Sequence, residues 1–478
     1  MNWRMDLRLL AALSLMVAMF EGGVLLYAWY AGENLHTLIW AIFIALIVGA
    51  CGWILAWKAD PRLGPRDGFL VATAGWGTAI FLGALPYVIS HHLGWADALF
   101  ESASGFTTTG SSVLGHPEGL PRSLLLWRSL TQWIGGMGML LLTIAILPFL
   151  RVGGMQLMKA ETPGPRKERL TPRLITTARI LWGLYVGLTA LAALGYWLFG
   201  MTPFEALNHA LTTMATGGFS TSDSSFVGFS PAAQWWATLF MMLAGTNFLL
   251  HYRLVFMRDL KAFGDREWRV YMGVALCAAV MITLLRMFQA QVPALEAARE
   301  AFFQVASILT TTGYASADWE QWEALSAMLL ILLMGVGGMS GSTAGGPKVV
   351  RVSVAFVMLG AAMRRLLQPR RVQTLMWGGR DLPMDVVEGC VAMLAMTILL
   401  TLMGGVVLHL MGVDMMTALS AALTCLTNVG PGYGGVGAMD NFSALPQIGK
   451  LLLAVLMVVG RLEIFTVLIL LWPGFWRR

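Results

Sequence analysis

Charge is scarce in this chain. Of 478 residues, 12% are Asp, Glu, Lys or Arg and 57% are hydrophobic, with mean hydropathy +0.69. Soluble chains carry about 25% charged residues. With so few, roughly three soluble domains of ~150 residues cannot be covered in water, and disorder and coiled coil are excluded with them. The apolar residues run in blocks and do not alternate, which argues against a membrane β-barrel. Cysteine is also sparse. Cys51, Cys277, Cys390 and Cys425 lie in apolar stretches without CxxC spacing. They offer neither a disulfide framework nor a metal site, and are expected to be small core hydrophobes. His209, His251 and His409 share no catalytic spacing. No Gly-x-Ser-x-Gly and no paired intramembrane carboxylates stand out, so a membrane-embedded enzyme has no residues to work with. The N-terminal apolar run continues to Tyr30 without a small-residue cleavage site and reads as a retained helix.

What is abundant is apolar sequence in lengths of about 20 residues, enough to cross a bilayer. Spans are expected near 8–30, 37–57, 68–90, 123–150, 174–199, 232–256, 269–289, 323–362 (interrupted), 386–411 and 444–472. After the first two, the pattern repeats four times as span, short segment, span. The boundaries fall at 1–66 for the extra N-terminal pair, then 67–172, 173–267, 268–384 and 385–478 for the repeats. The short segments read ALFESASGFTTTG (98–110), EALNHALTTMATG (205–217), AFFQVASILTTTG (301–313) and ALSAALTCLTNVG (418–430). Each is 13 residues and they align without gaps on a terminal glycine. About ten helical residues cannot cross hydrocarbon. These segments are expected to be re-entrant pore helices, in preference to surface helices on external loops. The fold class is thus an all-α polytopic membrane protein with four span–pore helix–span repeats around a pseudo-fourfold pore.

Lys and Arg are distributed unevenly. Twenty-six of 32 fall in the N-terminus, the 58–66 turn, 151–179, 253–269, 348–380 and the C-terminus. This places both termini in the cytoplasm and makes all four short segments enter from outside. It also counts against inverted repeats, because the copies share one direction.

Non-helical backbone at membrane depth must line a watery path or be buried in protein. Four such strands at one depth are best explained by a shared pore, in which carbonyl oxygens replace a cation's hydration shell. The candidate backbone ligands are Thr108, Thr109 and Gly110; Ala215, Thr216 and Gly217; Thr311, Thr312 and Gly313; and Asn428, Val429 and Gly430. Glycine leaves no Cβ in the path and tolerates φ > 0. The negative ends of the pore helices would face the cation.

The tetrads TTTG (107–110), ATGG (215–218), TTTG (310–313) and the run NVGPG (428–432) resemble the four selectivity filters of the TrkH/TrkG/KtrB/HKT superfamily of potassium transporters. WRSLTQWIGGMG (127–138), GTNFLLHY (245–252), GGMSGSTAGGPK (337–348), GRLE (460–463) and the two extra N-terminal spans are similar to its TrkH branch. The resemblance covers essentially the whole chain. It implies a membrane subunit of a potassium uptake system in the bacterial inner membrane, forming a homodimer in the lipid bilayer and regulated by a cytosolic nucleotide-binding protein of the TrkA type. Glycine at all four anchors implies potassium selectivity, since a serine at the first anchor accompanies sodium permeation in plant relatives. Sodium or mixed cation transport is the alternative within the fold. Met214-Ala215 and Asn428-Val429 depart from the Thr-Thr pattern, which weakens any scheme needing four threonine hydroxyls.

The third repeat's second span is interrupted by GVGGMSGSTAGGPK (335–348), six glycines and a proline in 14 residues. Each glycine weakens a helix by about 1 kcal/mol, and Pro347 removes a hydrogen bond. The stretch should unwind. It nearly fits a phosphate loop, but Pro347 and Val349 break that pattern. Close small-residue packing is the bland alternative. The resemblance implies a gate, with Gly337, Gly338, Gly341, Gly345, Gly346 and Lys348 in it. Arg461 lies inside the last span, where a charge is costly and usually functional. Glu463 is a candidate partner for it, and the resemblance implies that Arg461 faces the pore beside the gate loop.

Overall fold

The computed structural model describes residues 1–60, 64–145, 171–369 and 374–477. It is helical almost throughout, and the only strands among the described residues are the two-residue pair Met376–Trp377 and Arg380–Asp381. Each expected span is a helix or a helix pair, as far as the described residues extend. The end of the span read over 123–150 and most of the basic loop after it lie outside them. Among the described residues, six helices are each long and apolar enough to cross a bilayer alone, and a bent pair brings the number to seven.

Trp3–Tyr30 and His36–Leu55 form the N-terminal hairpin. They pack closely where Gly49 lies against Leu15 and Gly52 against Ala11. Four repeats follow, each with an outer helix, a pore helix and an inner helix. The outer helices are Pro65–Ile89, Thr171–Leu198, Arg266–Phe288 and Met384–Leu410. The pore helices are Trp95–Phe106, Pro203–Met214, Ala294–Leu309 and Met415–Thr427. At 1.5 Å per residue the longest spans about 24 Å, short of the ~30 Å hydrocarbon core. Their starts are locally encoded. Thr202 and Glu205 form a reciprocal capping box with Pro203 at the first position, and Asp414 accepts from the amides of Met416 and Thr417.

Only the first inner helix, Arg122–Ala145, is unbroken over its described length. The second is broken between Pro231–Ala244 and Phe248–Val255. The third is broken between Ala324–Met334 and Val349–Leu367, as expected from its glycines. The fourth bends by 112° between Gln447–Arg461 and Ile464–Leu471. The breaks in the second and fourth depart from the continuous spans expected over 232–256 and 444–472. Glycines let two inner helices touch the pore-helix ends: a Cβ at Gly135 would overlap the Phe106 carbonyl, and one at Gly460 the Leu426 carbonyl.

Cys390 and Cys425 are buried as expected, whereas Cys51 and Cys277 are exposed on helix faces. The N-terminus, the first basic turn and the C-terminus share one end of the bundle: Asn2 N donates to Asp67, and Arg66 donates to the Arg477 carbonyl at 2.7 Å.

Candidate functional site: four converging strands and the loop beneath them

Each pore helix ends in the same backbone device. Thr108, Thr216, Thr311 and Asn428 adopt φ of 52°, 53°, 57° and 54°. The next amide then reaches back five residues, from Thr109 to Ser104 O, Gly217 to Thr212 O, Thr312 to Ser307 O and Val429 to Thr424 O, at 2.8–3.0 Å. Non-glycine residues seldom take this conformation. Four equivalent instances fix the structural register. In that register the counterpart of Gly110, Gly313 and Gly430 is Gly218, with φ of 79° against 87°, 83° and 109°. The copies align in sequence on Gly217, one residue earlier, and Gly217 takes the place of Thr109.

The strands close a ring. A Cβ on Gly110 would overlap Gly217 O, one on Gly218 would overlap Thr312 O, and one on Gly313 would overlap Val429 O. At Gly430 it would lie 2.8 Å from Thr109 O, returning to the first strand. All four glycines line one open mouth, together with Ser111, Ser220, Asp223 and Asp440.

Backbone acceptors are left over at this ring. Gln132 Nε2 donates to Gly217 O at 2.6 Å, Thr216 Oγ1 to Ala215 O at 2.6 Å and Ser111 Oγ to Gly430 O at 2.9 Å. Among the described residues, no donor reaches the carbonyls of Thr108, Thr216, Thr311 and Asn428, which are all fully buried. No donor among the described residues reaches the carbonyls of Gly110, Gly218 and Gly313 either, which are partly exposed at the mouth. More than about 90% of buried backbone carbonyls are paired in folded proteins, so four equivalent carbonyls without donors are exceptional.

Apart from Thr108 Oγ1, which has no partner among the described residues, the threonine hydroxyls are occupied elsewhere. Thr107 and Thr310 each donate back to their helix at 2.6 and 2.7 Å and bond Thr109 and Thr312 at 2.7 Å. Asn428 Nδ2 takes the remaining role, donating to Thr109 Oγ1 at 2.9 Å and to Met457 O at 3.0 Å. The departures from the Thr-Thr pattern therefore fall on packing groups.

A polar frame holds the strands in place. Buried Glu101 accepts from Arg128 Nε at 2.6 Å, from the Val113 amide and from Ser112. Arg128 also donates to Ser220 O and lies over Phe219, joining the first and second repeats. Removing one partner of such a buried pair costs about 3–5 kcal/mol. Lys450 joins Asp97 at 2.7 Å across repeats four and one. Glu320, in the loop above the third repeat, accepts from the Gly434 and Ala438 amides. Burial there pushes its carboxyl above the usual range. His209 bonds Glu205 O and Ser220 Oγ, a structural role.

Directly below the ring lies the 335–348 loop. Gly337, Gly341, Gly346 and Lys348 have positive φ. Gly338 is closed in by Ala344, and the Gly345 amide donates to Thr311 Oγ1 at 2.6 Å. Thr343 Oγ1 donates to Met214 O at 3.0 Å. The loop also fills the break in the second inner helix: Met339 N donates to Gly245 O and Phe248 N to Gly341 O. Arg461 Nη1 donates to Thr343 O at 2.9 Å, and Lys348 Nζ donates to Ala344 O. Arg461 is 1% exposed, and its Nε and Nη2 have no partner among the described residues. Glu463 does not pair with it. Glu463 sits at the bend with φ 60° and binds Arg351 at 2.7 Å.

The sequence marks the four segments, the glycine-rich loop and Arg461, but not the contacts of Gln132, of Glu101 with Arg128 or of Arg351 with Glu463. Gln132, Arg128 and Glu463 lie in the motifs quoted for the resemblance, so the signal is present without its geometry.

Four short helices ending at a ring of backbone carbonyls, inside a bundle of apolar helices, fit a membrane transport protein. The chain belongs to the TrkH family, described as cation transport protein, whose family model matches residues 36–474. This is a transport family, not an enzyme family. The chain is 39% identical over 443 residues to the Trk system potassium uptake protein TrkH of Salmonella typhimurium, covering 91% of each chain. It is 38% identical to the potassium uptake protein TrkI of Halomonas elongata, over 100% of this chain and 98% of that one. The crystal structure of the potassium transporter TrkH from Vibrio parahaemolyticus superposes with a TM-score of 0.91 at 33% identity, covering all of both chains.

Proposed function

We propose that this chain is the membrane subunit of a Trk-type potassium uptake system in the bacterial inner membrane. The carrying observation is the fourfold set of buried carbonyls without donors at Thr108, Thr216, Thr311 and Asn428. Further oxygens at Thr109, Gly110, Gly218, Thr312, Gly313 and Val429 extend the path, while Ala215, Gly217 and Gly430 are turned to protein donors. Potassium is the transported ion, and no organic cofactor takes part. Ions enter from outside through the mouth beside Asp223, shed water at the ring and meet the gate loop below it. Gly337, Gly338, Gly341, Gly345 and Gly346 let that loop fold under the ring. Lys348 and Arg461 hold its carbonyls and place positive charge on the path.

Both termini lie in the cytoplasm, the repeats divide at 67, 173, 268 and 385, and the unit is a homodimer gated by a cytosolic nucleotide-binding regulator of the TrkA type. The basic residues at the cytoplasmic ends support this orientation.

The test is rubidium uptake into liposomes containing the purified chain. Potassium should compete at least about tenfold more effectively than sodium, a difference of ~1.4 kcal/mol. Equal competition by sodium would favour the mixed-cation alternative.

A further inference from the structure

A second polar cavity of about 460 Å³ lies behind the gate loop, at the end of the bundle away from the mouth. Arg253, Arg266, Arg269 and Arg380 line it with Asn247 and Ser340. Its two carboxylates are already engaged. Asp265 caps the third outer helix by accepting from Trp268 N at 3.0 Å, and Glu267 accepts from Ser340 N at 2.7 Å. Arg253 is bound to Asp259 at 2.7 Å. Arg266 lies 4.8 Å from the Trp377 ring, and neither Arg266 nor Arg269 has a carboxylate partner among the described residues. The cavity thus presents guanidinium groups in excess of free acid.

The flanking chain is equally specific. Val255, Phe256, Met257, Leu260 and Phe263 are 45–71% exposed. They alternate with Arg253, Arg258 and Lys261 at the end of the second inner helix. Exposed apolar residues mixed with basic ones at a membrane boundary fit the headgroup layer of an anionic bilayer.

We propose that this cavity binds a phosphate group through Arg266 and Arg269, supplied by an anionic phospholipid headgroup or by a soluble phosphate, and that its occupancy loosens the gate loop. Arginine suits phosphate because its planar fork donates two parallel bonds. The coupling runs through Ser340, which belongs both to the cavity wall and to the loop. A phosphate there repels Glu267 and competes with it for the Ser340 amide. Ser340 follows Met339 and precedes Gly341, the two residues that hold the loop to the break in the second inner helix. The effect on flux rests on the gate reading above; the binding does not.

The full chain is reconstituted in phosphatidylcholine vesicles, in the same vesicles with phosphatidylglycerol, and in phosphatidylcholine with soluble glycerol phosphate on the cavity side. Rubidium flux is measured in each, and retained phosphatidylglycerol is followed by native mass spectrometry. Phosphatidylglycerol should raise flux about fivefold, within the usual range of allosteric coupling. Arg266→Gln and Arg269→Gln should each lose that response and the bound lipid, while Lys261→Gln, outside the cavity, keeps both. An equal rise with glycerol phosphate assigns the site to soluble phosphate; a rise only with the lipid assigns it to the headgroup. Lipid bound through Arg269 without any change in flux overturns the coupling and leaves the site. A response unchanged in both arginine variants, or absent in the parent with no lipid retained, overturns the site itself.

Discussion

Replacing Gly218 or Gly313 with serine is expected to reduce potassium preference over sodium by about tenfold or more, equivalent to ~1.4 kcal/mol. The sequence suggests that serine at an anchor adds a hydroxyl to an otherwise intact strand. The geometry makes the change more severe. A Cβ at either position would overlap the carbonyl oxygen of the next strand, and φ is 79° and 83°. A side chain in that region costs roughly 1–2 kcal/mol before any contact is counted. The overlapped atoms are backbone, so the ring itself must open. Gly110 belongs to the same class. Gly430 has more room, with 2.8 Å to Thr109 O, and Gly430→Ser should be the mildest of the four. Competition of sodium against rubidium uptake, with size-exclusion elution as a control for folding, gives the ranking. Unchanged selectivity in folded Gly218→Ser and Gly313→Ser would remove the ring from the ion path.

Arg461→Ala is expected to raise potassium flux about tenfold and to weaken its dependence on the cytosolic regulator. A unit charge 4 Å from a cation contributes about 4 kcal/mol at an effective dielectric of 20, so losing even part of it is felt. The substitution also frees Thr343 O and removes a buried guanidinium that lacks two of its partners. Folding should therefore survive. Shortening Gly337–Gly345 should raise flux as well, but the two variants are not equivalent. Gly345 N bonds Thr311 and Thr343 bonds Met214 O, so the loop also props two filter strands. Selectivity should persist in Arg461→Ala and fall in the loop deletion. Regulator-dependent rubidium uptake reads both. Unchanged regulated flux in both variants would leave the loop as packing alone.

The parts legible in the sequence are those where one residue type has few alternatives. Apolar runs of span length, four Thr/Ser-rich segments ending in glycine, and six glycines in 14 residues each exclude most other structures. The register of the second strand was not legible, because Gly217 and Gly218 are adjacent and either can carry φ > 0. Only the four equivalent turns at Thr108, Thr216, Thr311 and Asn428 decide between them.

The breaks at Gly245–Asn247 and Leu462–Glu463 were hidden for a different reason. Neither segment is a strong helix breaker. The first is held open by Met339 and Gly341 of the 335–348 loop, and Glu463, at the second, is held by Arg351, 112 positions away in sequence. Tertiary hydrogen bonds decide where local helix preferences, about 1 kcal/mol or less per residue, do not. The Arg461–Glu463 pairing suggested by proximity failed because the chain turns between the two residues.

On the proposed function, backbone oxygens of four strands hold the transported cation. Anomalous diffraction from crystals grown with thallium in place of potassium locates that cation directly. Density is expected on the axis among the carbonyl oxygens of Thr108, Thr216, Thr311 and Asn428, lost or displaced in Gly313→Ser. Density confined to the mouth beside Asp223, with none inside the ring, would contradict it.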